Sequence, residues 1–342
     1  MLKKILEQLI SGLDLSVNDM QTLMRHCMKG ELNDIEMAAF LALMRMKGET
    51  VEELTTAARV MQEFAQSIDL GDDLIDVVGT GGDGKNTFNI STVSGFVVAS
   101  LGVKVAKHGN RASSSKSGSS DLLEAAGFHL SLSPMALKQC LEQCNLAFLF
   151  APHFHKALQQ VRMVRKQLGI RTMFNLLGPL LNPASVKKQV VGVFPSDLLH
   201  PIAQVLAHLG SSHALVLSSQ DGLDEVSIAA KTDVVEYQAG TFKSWTIDPK
   251  EYGCAHATLN DIIVSTPEES LALAKSVFSG HKGPARDIVL LNTATVLYCA
   301  DFCQDYGSAI EKAAFAIDSG QALRCFQHLR DLTQTFVGTE HD

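Results

Sequence analysis

Apolar residues recur at helical spacing through the first part of the chain. Leu2, Ile5, Leu6 and Leu9 form one set and Met20, Leu23, Met24 and Cys27 another, each lining one side of a helix of 3.6 residues per turn. Asn33 with Glu36, and Thr50 with Glu53, have capping-box spacing, in which each side chain satisfies a backbone N–H of the other residue. Gly30 and Gly48 stand where the preceding helices should stop. These signals predict a small helical domain over residues 1–66.

From Leu74 the period changes. Short apolar runs, Ile75 to Val78, Val103 to Ala106, Ala147 to Phe150, Val190 to Phe194 and Ala214 to Leu217, are separated by helical stretches. That alternation predicts a mainly parallel sheet with helices on its faces. Val234 to Tyr237 and Thr241 to Ile247, joined across Gln238, Ala239 and Gly240, read as a hairpin that adds antiparallel strand. The expected fold class is α/β: a small N-terminal helical domain, completed by helices from about 155–185, and a larger α/β domain over 74–342.

With 342 residues, 46% of them hydrophobic, the chain can bury a full core. A net charge of -8 argues against a general partner among nucleic acids or anionic membranes, which need a basic surface, so an anionic ligand must meet a local basic site. The seven cysteines include no CxxC, and Cys140/Cys144 and Cys299/Cys303 have helix-face spacing; they read as reduced core residues. The N-terminus lacks the apolar stretch of a signal peptide and no 18-residue apolar run occurs, so a soluble, cytoplasmic protein is expected.

Three segments carry candidate chemistry. The first, Asp76 to Asn86, follows an apolar strand with Gly79, Gly81, Gly82 and Gly84 and leads toward a helix, where backbone amides and the helix dipole hold phosphate. It satisfies GxGxxG, but the next strand ends in Lys107-His108 with no acidic residue for a ribose hydroxyl. It also satisfies GxxxxGK, yet Asn86 stands where a P-loop needs a hydroxyl. Asp83 repels polyphosphate unless it faces a ribose hydroxyl or a bridging metal. Taken alone, the loop also reads as a glycine turn without a ligand. The second segment, Asn89-Ile90-Ser91-Thr92, reads equally as a phosphate contact or as an ordinary helix start with Ser91 or Thr92 at the N-cap. The third, Lys107 to Asp121, holds hydroxyls, glycine amides and three fixed cations within ten positions and almost no carboxylate, a composition suited to pyrophosphate rather than to a flexible linker.

The ordered run Gly79-Thr-Gly-Gly-Asp83, Asn89-Ile-Ser91-Thr92, and Lys107-His-Gly-Asn-Arg111 with Ser114, Ser115, Gly118 and Asp121 to Glu124 closely resembles the anthranilate phosphoribosyltransferase family. Arg165 in Val164 to Thr172, Phe174 to Leu180, Asn182-Pro183 and Gly222-Leu-Asp224-Glu225 extend the resemblance over nearly the whole chain. The chain departs from the family at Phe154-His155-Lys156-Ala157, and at Ser113 and Ser120, where small apolar residues are usual.

The resemblance implies transfer of the 5-phosphoribosyl group of phosphoribosyl pyrophosphate (PRPP) to anthranilate, with release of pyrophosphate. It implies PRPP contacts at Gly79, Gly82, Asp83, Thr87, Asn89, Ile90, Ser91, Thr92, Lys107, His108, Gly109, Asn110, Arg111, Ala112, Ser113, Ser114, Ser115 and Ser119. Anthranilate would meet Gly79, Asn110 and Arg165, with His155 as a candidate wall of its entrance; Mg2+ would be held by Ser91, Asp224 and Glu225. No residue is assigned acid–base chemistry. The implied assembly is a homodimer formed through the helical domain. Two rivals remain, a pyrimidine nucleoside phosphorylase and a non-catalytic nucleic-acid-binding relative. The second predicts a basic face and loss of Asp224, Glu225, Asn110 and Arg165, all of which are present.

Overall fold

The structure, a computed structural model, describes residues 2–112 and 115–338. Four helices open the chain: α1 (Leu2–Ile10), α2 (Val17–Lys29), α3 (Asp34–Lys47) and α4 (Val51–Glu63). Both expected capping boxes form, at Asn33/Glu36 and Thr50/Glu53, and Gly30 and Gly48 cap α2 and α3. Glu53 does more than cap. It is buried, accepts from Leu15 N and Thr50 N at 2.8 Å each, and pairs with Lys47 Nζ at 2.8 Å, so it pins the α1–α2 connection to α4.

The sheet segments follow as β1 (Ile75–Gly79), α5 (Ile90–Ser100), β2 (Val105–Gly109), α6 (Ser119–Ala125), α7 (Pro134–Cys144) and β3 (Leu146–Phe150). A helical excursion, α8 (Ala151–Phe154), α9 (Gln159–Leu168) and α10 (Met173–Leu177), returns the chain to the opening helices, with α9 packing on α2 and α3, and α10 on α3 and α4. Then come β4 (Lys188–Gly192), α11 (Leu199–His208), β5 (His213–Ser219), β6 (Thr232–Gln238) and β7 (Thr241–Ile247), and finally α12 (Pro267–Phe278), α13 (Pro284–Cys299), α14 (Tyr306–Asp318) and α15 (Gln321–Thr335).

The seven strands lie in the order β3-β2-β1-β4-β5-β6-β7; the first five are parallel and β6 and β7 run antiparallel, as the hydrophobic pattern predicts. Residues alternate between the two faces. Ile75, Val77, Val190, Leu215 and Leu217 face a core built with α5 and α12–α15, while Val191, Ala214, Val216 and Val235 face α11, α4 and the helices of the excursion. The hairpin turn is shorter than expected: Gln238 pairs with Thr241, leaving only Ala239 and Gly240, both at positive φ. All seven cysteines are free, and six of them are buried, as expected. Among the described residues, no helix is long and apolar enough to cross a membrane.

Candidate active site

The chain adds β2 and β3 on one side of β1 and then returns to place β4 on the other. At such a switch point the loops leaving the strand ends diverge and open a crevice. Gly79 and Gly192 are the last residues of β1 and β4 and face each other in register. Into the space they leave comes the loop after β5, carrying Asp224 and Glu225. A β-carbon on Gly79 would lie 3.0 Å from Asp224 Cγ, and one on Gly192 only 2.6 Å from the Asp224 carbonyl carbon. Gly81 N donates to Asp224 Oδ2 at 2.7 Å, and Ser91 N donates to Glu225 Oε1 at 3.2 Å. Lys107, buried midway along β2, donates from Nζ to Val77 O at 2.6 Å and to Ser91 Oγ at 3.2 Å. The structure thus brings Ser91, Asp224, Glu225, Lys107 and the glycine loop to one place.

The electrostatics are unbalanced. Burial, reinforced by the nearby Asp83 charge, raises the Asp224 carboxyl to about 7. Burial and then Asp224 raise Glu225 to about 8. Burial lowers the Lys107 ammonium, against the opposing pull of Asp76 and Glu225. Crowded, buried carboxylates of this kind suit a hard cation, which removes both the desolvation and the repulsion. Among the described residues no group of three or more His, Cys, Asp or Glu forms a metal cage. Magnesium takes one or two carboxylates and completes its shell with waters and substrate phosphates, so Asp224 and Glu225 could hold it.

Around this centre the expected PRPP residues divide by what their atoms already do. Gly82 is left-handed, and Asp83 Oδ1 accepts from Lys85 N at 3.0 Å. Thr87 forms an isolated bridge to Ile263. The Asn89 side chain is a knot: Oδ1 accepts from Ser117 Oγ (2.7 Å) and Ser270 Oγ (2.8 Å), and Nδ2 donates to Ser117 O (3.0 Å). Helix α5 begins at Ile90 with Asn89 at its N-cap, so Ser91 and Thr92 sit in the first turn and not at the cap. The Ile90 side chain belongs to the core, while the Thr92 hydroxyl is buried without a partner among the described residues.

Gly109 ends β2, and a side chain there would strike the Phe148 ring at 2.6 Å. Asn110 N and Ser119 Oγ hold the β2–α6 connection together at 3.2 Å, and Ala112 N and Gly118 N both donate to Asp121 Oδ2 at 2.8 Å. Ser115 Oγ donates to Ser117 O at 3.4 Å. The Arg111 guanidinium pairs with Glu124 at 2.6 Å and lies 5.5 Å from the Phe150 ring centre. Ser113 and Ser114 lie outside the described residues.

On the acceptor side, Arg165 occupies the last turn of α9, half-buried, 5.5 Å from the centre of the Phe174 ring. His108 and His155 meet edge to face at 5.1 Å, each with a buried Nε2 that has no partner among the described residues. Burial, with the His155 and Lys107 charges adding to it, drives His108 down to about 3, and burial lowers His155 as well. Both imidazoles are therefore neutral near pH 7. Two residues missed by sequence reasoning belong to this region: Gly192, under the Asp224 loop, and Arg171, whose Nη1 donates to Gly82 O at 3.4 Å.

Comparison with known proteins supplies a family for this geometry. Residues 3–65 match the glycosyl transferase family, helical bundle domain, and residues 71–323 match the glycosyl transferase family, a/b domain. A Legionella pneumophila (strain Paris) protein named anthranilate phosphoribosyltransferase is 62% identical over 333 residues, 97% of each chain. The crystal structure of the Thermus thermophilus anthranilate phosphoribosyltransferase aligns with TM-score 0.89 at 37% identity, covering 96% of this chain and 99% of that one. The Saccharomyces cerevisiae enzyme in complex with PRPP and Mg aligns with TM-score 0.89 at 31% identity, covering 98% of each.

Proposed function

The chain belongs to the anthranilate phosphoribosyltransferase family, and we infer that it transfers the 5-phosphoribosyl group of PRPP to anthranilate in tryptophan synthesis, at the crevice between β1 and β4. The observation that carries this assignment is the convergence of the buried Asp224 and its neighbour Glu225, Lys107 and the glycine loop at the switch point of the sheet. We take residues 1–66 with the helices of 155–185 as the helical unit, and 74–342 as the α/β unit that binds PRPP.

Ser91, Asp224 and Glu225 would hold magnesium, which would supply positive charge to the pyrophosphate oxygens. The chain's own residues do the rest by position. Lys107 and the amides and hydroxyls of Gly79–Gly82, Asn110 and Ser119 hold the donor, so that negative charge on the departing pyrophosphate meets fixed donors while the ribose anomeric carbon becomes positive. Arg165 grips the acceptor carboxylate with its planar fork and aims the amine. That amine is already a neutral nucleophile, so no general base is needed before attack and the rate comes from orientation and leaving-group stabilisation.

We assign the protein to the cytoplasm as a homodimer joined through the helical unit. What supports the dimer is the exposed apolar surface of that unit, at Ile10, Leu13, Met46 and Ile35, the last 83% exposed. The test of the function is one assay: anthranilate fluorescence should fall on addition of PRPP and magnesium together, and with neither alone. Consumption of thymidine with phosphate in place of that activity would overturn the assignment.

A further inference from the structure

We propose that Arg171 is a positioning residue that ties the donor glycine loop to the segment bearing the acceptor arginine, so that the donor loop is held in place from the acceptor side. The proposal rests on the functional reading above. Arg171 stands between Gly169, which caps α9 just after Arg165, and Thr172, which precedes α10. Those two helices pack on the opening helices of the chain, so the backbone of Arg171 belongs with the acceptor side. Its guanidinium points the other way.

Nη1 donates to Gly82 O at 3.4 Å, and Cζ lies 5.9 Å from the centre of the Phe194 ring, just beyond β4. Gly82 is left-handed, and a β-carbon there would sit 3.2 Å from Arg171 Cζ, so loop backbone and guanidinium pack with nothing between them. The charge lies toward Asp83 and Asp224, whose attraction opposes the cost of its burial. A neighbouring cation, Arg45 of α3, repels it and shares with it a cavity of about 20 Å³ that Glu49 also lines. Nη2 is buried and has no partner among the described residues, an arrangement a solvated surface cation avoids.

Movement of Gly82 carries its neighbours with it: Gly81, whose amide holds the Asp224 carboxylate, and Asp83. Arg171 therefore governs where the donor loop sits relative to Asp224, from an anchor on the acceptor side. Removing the guanidinium frees the loop without touching Arg165, the proposed acceptor contact on α9.

The experiment compares the full-length protein with Arg171→Ala and Arg171→Lys, by calorimetry of PRPP with magnesium and of anthranilate, by steady-state kinetics and by thermal melting. Loss of a charged hydrogen bond predicts PRPP binding weakened about tenfold or more in Arg171→Ala. Anthranilate binding without PRPP should stay within about twofold, and the melting midpoint should be nearly unchanged. Lysine should restore PRPP affinity only in part, because a point charge neither forks nor stacks. Wild-type PRPP affinity in Arg171→Ala would overturn the proposal. So would equal loss of both ligands together with a lowered midpoint, which marks a merely structural residue. If wild-type protein itself binds no PRPP, the failure belongs to the underlying functional reading.

Discussion

A β-carbon on Gly192 would overlap the Asp224 carbonyl oxygen, and would lie 2.6 Å from its carbonyl carbon, so the acidic loop rests directly on bare backbone at the end of β4. Gly192→Ala must lift that loop, and Asp224 and Glu225 with it. We expect kcat/KM to fall more than about a hundredfold, since an ångström of misplacement is costly in a site that works by orientation. Kinetics at saturating magnesium, alongside a melting curve, check this; wild-type turnover would show that the loop tolerates the shift.

Asp224→Asn and Glu225→Gln should each abolish most activity at magnesium concentrations that saturate the wild type. Because the two carboxyls are raised to about 7 and about 8, protons compete with the cation. The sign follows: as pH falls from 8 toward 6 both groups gain protons, and more magnesium is needed for half-maximal rate. A magnesium requirement that does not change over that range would remove the pair from the metal site.

Arg165→Ala should raise the anthranilate KM strongly and leave PRPP affinity nearly intact. The loss of a charged hydrogen bond, roughly 1.5 to 3 kcal/mol, corresponds to about a ten- to hundredfold fall in kcat/KM. Stacked at 5.5 Å on Phe174 and only half-buried, the side chain contributes little to folding. An unchanged anthranilate KM would make it a structural cation.

Glu53→Ala tests the helical unit apart from the chemistry. It leaves Leu15 N and Thr50 N without their acceptor while Lys47 keeps Asp14 at 2.8 Å, and a buried donor left unpaired costs about 1 to 3 kcal/mol. Chemical denaturation should show that loss. The folded fraction should keep wild-type KM values for both substrates.

The sequence carries the fold in its periodicities, although strand ends shift: β2 starts at Val105 and not Val103, β4 stops at Gly192 and not Phe194, and polar residues continue some strands past their apolar runs. Lys107 and His108 lengthen β2 beyond its apolar run because their backbone pairs with β3 while their side chains serve the crevice. Lys188 starts β4 earlier than its apolar run suggests because Asp301, far along the chain, takes its charge at 2.9 Å. The glycine loop, the basic loop and the acidic pair were legible as motifs. Arg171 and Gly192 were not, since their meaning lies in what crosses them in space. Nor was the knot at Asn89, whose partner Ser270 is 181 positions away.

The placement of β4 beside β1 also fixes when the crevice can exist. Ile75 waits for Lys188 and Gly79 for Gly192, and the acidic loop follows later still. A ribosome releases the chain from its N-terminus onward, so the glycine loop emerges long before the strand that completes its floor. Until then β1 is an open edge, exposed to pairing with other chains. The opening helices gain their packing partners α9 and α10 well before the crevice is complete, and the donor site is absent from every nascent chain shorter than about two-thirds of the protein.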